Sequence, residues 1–121
     1  MEWTVRPEVV LELDLQAALG RVDGDRELLK EIAELFLEEC PGSLEAVRAA
    51  VASRDPAALQ RAAHSLKGAV SNFGERAAHK AALRLEQMGR SGELAGSAEA
   101  LRELEEALER LCAELREFIT G

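Results

Sequence analysis

The sequence predicts an all-α protein: an up-down-up-down antiparallel four-helix bundle with a short extra N-terminal helix. Three observations carry this. Apolar residues recur every three or four positions along four long stretches, the period of a helix with one buried face. Short segments containing Gly, Ser or Asp separate those stretches, and short connections make consecutive helices antiparallel neighbours. Ala and Leu supply most of the apolar residues; aromatics are 3% and tyrosine is absent.

Taken in order, a short helix is expected over about 9–19, with Val9, Val10, Leu13 and Leu19 apolar, followed by a turn from Gly20 to Gly24. A long helix starts near Asp25. Its apolar stripe reads Leu28, Ile32, Leu35, Phe36, Cys40, Leu44, Val47 and Val51. The stripe keeps its phase across Pro41-Gly42, which favours one kinked helix over two, although an interior proline removes a hydrogen bond. Ser53-Arg54-Asp55 is a turn. Asp55 then reads as an N-cap with Pro56 at the first helical position, a pairing helices favour at their start. That third helix runs to about Asn72, and Gly74 suits its end. Its apolar line is Leu59, Ala62, Ala63, Leu66, Val70 and Phe73. The fourth helix spans about 75–90, with Ala77, Ala78, Ala81, Leu85 and Met88 inward, and Gly89 to Ser97 is read as a loop. The last helix covers about 98–119, with a seam of Leu101, Leu104, Leu108, Leu111, Leu115 and Phe118 spaced by threes and fours.

At 121 residues and 47% hydrophobic, the chain suits one domain over 1–121 with its own core. A net charge of −8 disfavours nucleic acid, whose phosphates attract basic surfaces. No run approaches the roughly 20 apolar residues of a membrane span, so no membrane insertion is expected. Met1-Glu2-Trp3 lacks the start of a signal peptide. Cys40 and Cys112 are far apart in sequence and lack metal-ligand spacing, which favours buried, reduced thiols and a cytoplasmic protein.

The chemistry concentrates in residues 61–74, Arg-Ala-Ala-His-Ser-Leu-Lys-Gly-Ala-Val-Ser-Asn-Phe-Gly. Gln60, Arg61, His64, Lys67, Gly68 and Ser71 fall on the face opposite the apolar line. His64 therefore stands on the wet side, mid-helix, with Lys67 one turn on and Gly68 beside it by the four-residue rule. Glycine inside a helix costs about 0.5–1 kcal/mol relative to alanine. Either it permits close helix packing, or the missing side chain opens access to the imidazole. A neutral imidazole is a good nucleophile near pH 7. Phosphoryl transfer asks the protein mainly for positioning and charge stabilisation, which Lys67 can supply. Alone, Lys67 would read as a solvated helix lysine. His79 lacks such a context and reads as a surface histidine. Two histidines without an acidic cluster make a poor metal site. No phosphate-binding loop, ATP motif or Ser/His/Asp order is present.

His-Ser-Leu-Lys-Gly at 64–68, followed by Asn-Phe-Gly at 72–74, resembles the signature of histidine-containing phosphotransfer (HPt) domains. Leu85-Glu86-Gln87-Met88-Gly89-Arg90 with Ser91-Gly92 is similar to the next helix of that family, and Gly24-Asp25 opening a helix with Phe36 also fits. The similarity covers roughly 10–118. It implies the four-helix bundle and a phosphoryl group carried on His64 between aspartates of response-regulator receiver domains. It also implies that Glu86 approaches the histidine and Arg90 lines the phosphoryl site. A glutamate there would bring negative charge towards the phosphoryl group, with Arg90 and Lys67 offsetting it.

The leading expectation is a phosphorelay intermediate with His64 as phosphoacceptor, Lys67 and Gly68 completing its surroundings, and Glu86 and Arg90 in support. Leu83, apolar on a polar line with His79, Glu86 and Arg90, is expected to be at least partly exposed and to form a docking patch with Ser71. Partners would be receiver domains or a hybrid sensor kinase, with Mg²⁺ on the receiver and no cofactor or metal on this chain, which is expected to be a monomer. One competing reading is the phosphoacceptor domain of a chemotaxis-type histidine kinase, which shares the His-x-x-Lys-Gly pattern. Another is a non-catalytic helical adaptor.

Overall fold

The structure, a computed structural model, describes residues 11–121. It contains five helices and, among the described residues, no strand: α1 (Leu15–Gly20), α2 (Arg26–Ser53), α3 (Pro56–Val70), α4 (Ala77–Ser91) and α5 (Ser97–Thr120), with a 3₁₀ turn at Ser71–Phe73. Three helices begin on an aspartate. Asp14, Asp25 and Asp55 accept from the backbone N–H groups of Ala17, Leu28 and Ala58 at 3.2, 3.0 and 3.2 Å. Each cap satisfies a donor with no partner inside its helix, a contribution of about 1 kcal/mol.

Helices α2 to α5 form a ring in which each packs on the next and α5 returns to α2. The α3–α4 pair is the most intimate. One continuous core fills the ring, built on Leu29, Val47, Leu59, Leu66, Val70, Leu85, Leu104, Leu111 and Leu115. Phe36 of α2 meets Phe73 edge-on, with ring centroids 5.2 Å apart and planes at 66°. The seam expected on the last helix is buried throughout except Leu101, which is half-buried.

Several boundaries and faces differ from expectation. The first helix is shorter than 9–19 and begins at Leu15; Val9 and Val10 lie outside the described residues. Glu12–Asp14 instead runs as a strap. The Asp14 N–H donates to Phe73 O at 2.7 Å, and the N–H groups of Glu12 and Leu13 donate to the Glu114 carboxylate of α5 at 3.0 and 2.6 Å. In α2, Pro41 does sit inside one unbroken helix, on its exposed side. The inward stripe, however, is rotated. Leu28 and Leu35 are 41% and 53% exposed, while Leu29, Ala33 and Ala50 are buried in their place. Small alanines carry less pattern weight than leucines, so the pattern alone favours a face turned towards Leu28 and Leu35. The third helix gives way to the 3₁₀ turn after Val70. Gly89 belongs to α4, not to a loop.

Candidate functional site

α3 presents its polar face away from the core because Leu59, Ala63, Leu66 and Val70 hold the opposite face at 2% exposure or less. His64 follows directly from that phase: its side chain is 68% exposed. Lys67 lies one turn further on. A Cβ built on Gly68 would meet nothing within 4 Å. The glycine therefore serves no close helix contact, and the two readings left open by the sequence separate: the space beside His64 is open. Ser71 closes the helix end, its hydroxyl donating to Gly68 O at 2.7 Å.

The second half of the site comes from α4. Glu86 is 2% exposed, which is unusual for a carboxylate. It sits with Ala78, Ala82, Leu85 and Gly89 on the buried face of α4, not on the outward line with His79 and Leu83 that the sequence reading gave it. Burial of this charge is supported by three partners. His64 Nδ1–H donates to Oε2 at 2.8 Å, Arg90 Nη2 donates to the same oxygen at 3.2 Å, and Lys67 Nζ lies 2.7 Å from Oε1. At 2.7 Å the lysine forms a close ion pair with the carboxylate. Lys67, opposed by burial and aided by the His64 contact, holds the Glu86 carboxyl below its usual 4.5. Glu86 is therefore ionised at neutral pH and acceptor-only.

That acceptor fixes the histidine. With the Nδ1 proton bound to Glu86, Nε2 is the nitrogen carrying the lone pair. The Glu86 carboxylate lies against Nδ1 of the ring, between Lys67 and Arg90. Arg90 is 63% exposed at its side chain and remains available to solvent. Leu83 is half-buried and lies outside the core cluster. His79 is half-buried and joins no group of metal-ligating residues; among the described residues no such group exists.

Sequence reasoning missed two residues that hold this arrangement together. Gly89 is buried, and a Cβ there would fall 2.5 Å from Gln60 N and 2.7 Å from Pro56 O. The backbones of α3 and α4 touch at this point, which sets how near Glu86 comes to His64. The missed signal was Gly89 continuing the line Ala78, Ala82, Leu85 in phase. Glu12 is the other. Its buried carboxylate accepts from Ala78 N–H at 2.9 Å and faces Arg110 at 3.4 Å, capping α4, whose own N-cap residue Arg76 offers no side-chain acceptor. Nothing local in the sequence signals that cap.

The comparisons with known proteins agree with this architecture. Residues 31–114 match the family described as the Hpt domain. The chain belongs to the histidine-containing phosphotransfer (Hpt) domain family. It also resembles the crystal structure of histidine-containing phosphotransfer protein B (HptB) from Pseudomonas aeruginosa PAO1, with a TM-score of 0.83 and 21% identity over 93% of this chain and 97% of that one. At that identity the likeness speaks for the fold. No curated protein matches the chain.

Proposed function

We propose that this chain, acting as one domain, is a phosphorelay intermediate that accepts a phosphoryl group on His64 Nε2 from a receiver-domain aspartate and passes it to another. The observation that carries this reading is the His64 Nδ1–H to Glu86 contact at 2.8 Å on an imidazole that is otherwise exposed. It leaves one nitrogen free and aimed away from the carboxylate.

Nε2 attacks the phosphorus of the aspartyl phosphate. The Nε2–P bond forms as the P–O bond to the acyl oxygen breaks, and the aspartate leaves as a carboxylate. In the neutral ring with its proton on Nδ1, Nε2 carries none, and attack by that form needs no general base. The ring gains positive charge as the bond forms, and the ionised Glu86 on Nδ1–H stabilises it. Lys67 and Arg90 flank the Glu86 carboxylate, and their long side chains can swing towards the phosphoryl oxygens as these arrive. The open space at Gly68 admits the partner, and Leu83 and Ser71 form part of the surface it touches. The reverse transfer uses the same groups.

The receiver supplies Mg²⁺ and the acidic pocket; this chain needs no cofactor or metal of its own. It works as a monomer in the cytoplasm. No helix among the described residues is long and apolar enough to cross a membrane.

Incubation with a phosphorylated receiver tests the reading. The chain should take up label that is acid-labile and alkali-stable, and His64→Gln should stay folded and take none. Labelling of that variant, or label on His79, overturns the assignment. Labelling by a kinase domain but by no receiver favours the chemotaxis-type phosphoacceptor instead, and no labelling at all leaves a helical adaptor.

A further inference from the structure

The seam opposite His64 carries its own chemistry. In the ring of helices, His64 and Glu86 lie on the α3–α4 pair, and α2 with α5 closes the other side. On that side Cys40 of α2 and Cys112 of α5 line the same groove, of about 570 Å³, with Leu37, Leu108 and Arg116. Nothing local in the sequence signals that these thiols share a groove. Cys40 is buried and Cys112 is half-buried, so Cys112 is the more accessible of the two.

The two thiols are neighbours on this groove. The Cys40 thiol beside it, opposed by burial and aided by Arg116, lowers Cys112 to about 7. The Cys112 thiol and burial push Cys40 up. The other charges on the groove are Arg48, Arg102, Glu105, Glu106 and Glu109, with Arg48 Nε engaged by Glu105 at 2.6 Å. Thiolate character plus access marks the thiol that reacts first, and a neighbouring thiol resolves it.

We propose that Cys40 and Cys112 form a dithiol modification site for small-molecule disulfides, with Cys112 as the entry thiol and Cys40 as the resolving thiol, closing to an intramolecular disulfide that joins α2 to α5. The Cys112 thiolate attacks one sulfur of the reagent RSSR. A Cys112–S–S–R bond forms and RS⁻ leaves, taking up the proton Cys112 gave to solvent. Cys40 then attacks the Cys112 sulfur. The Cys40–Cys112 bond forms, and the second RS⁻ leaves with the proton from Cys40. Two thiols are oxidised and one RSSR is reduced to two RSH.

The test uses the native chain and oxidised glutathione, followed by alkylation, intact mass and peptide mapping. The expected product has lost two hydrogens, carries no glutathione and yields a cross-linked Cys40–Cys112 peptide. In Cys40→Ala the reaction stops as a glutathione adduct on Cys112. In Cys112→Ala, Cys40 reacts at least about tenfold more slowly, being buried. The oxidised native chain should melt about 5–15 °C higher, because the closed loop restricts the unfolded chain. Phosphoryl acceptance at His64 should be unchanged. A stable glutathione adduct on the native chain, cross-linked dimers, equal reactivity of the two thiols, or a lower melting temperature after oxidation would each overturn the proposal.

Discussion

At the scale of the residue, the proposed site is one nucleophile and four supports, of which Gly68 and Glu86 are the most informative. Gly68→Gln should raise stability by about 0.5–1 kcal/mol, because a helical glycine is replaced where nothing obstructs the new side chain. The same variant should slow phosphoryl acceptance by about tenfold or more, about 1.4 kcal/mol of barrier. A thermal scan and a transfer time course then move in opposite directions. Glu86→Gln should slow acceptance about 10–100-fold, the worth of a hydrogen bond to a charged group. It should also change the acid limb of stability. The Glu86 carboxyl is held below its usual 4.5 by Lys67. A group depressed in the fold stabilises above its unfolded pKa, and the stabilisation is lost as pH falls through the folded value. Melting temperatures of the native chain should therefore fall more steeply than those of Glu86→Gln between about pH 5 and pH 3. His64, Lys67 and Gly68 were legible because helical spacing alone sets their face. Glu86 was only half legible. The resemblance named it, but spacing placed it among solvated charges, since burial of a charge depends on cations from a neighbouring helix.

At the scale of the element, the α3–α4 pair decides the site. Its register rests on Gly89, against which the backbone of α3 lies. Gly89→Ala should destabilise by about 1–3 kcal/mol, because the obstructing atoms are backbone and the helices must part. Chemical denaturation measures this, and the variant should also accept phosphoryl more slowly at temperatures where it is fully folded, as Glu86 withdraws from His64. An alanine equal in stability to the native chain would refute this role. Helix existence, order and most boundaries were readable from periodicity and from the aspartate caps. Rotation of a helix about its axis was less so. In α2, Leu28 and Leu35 outweigh Ala33 and Ala50 in any hydrophobic pattern, yet the alanines are buried and the leucines exposed.

At the scale of the whole molecule, the strap at Glu12–Asp14 joins parts distant in sequence: the start of α4, the turn after α3 and the middle of α5. Glu12→Ala leaves the Ala78 N–H and Arg110 without that carboxylate. It should lower stability by about 1–3 kcal/mol, read as a lower melting temperature, while His64 labelling at low temperature is retained. The periodicity in this region suggested a helix because Leu13 and Leu19 fall in phase, and the pattern could not show that Glu12 and Glu114 bind backbone groups across the fold. The bundle itself was legible, because four amphipathic helices on short turns have few other ways to bury their apolar faces.

His64 stands exposed on a helix face with open space beside it, on the α3–α4 pair. On the proposed reading, donor and acceptor must occupy the same ground in turn, so each excludes the other. Throughput then depends on departure. With association near about 10⁶ M⁻¹s⁻¹, a nanomolar complex lasts about 1,000 s and a micromolar one about 1 s. A partner that gripped this face tightly would stall the relay by occupancy alone. An exposed histidine of this kind is suited to brief, weak encounters, and selection for faster signalling would act on dissociation before chemistry.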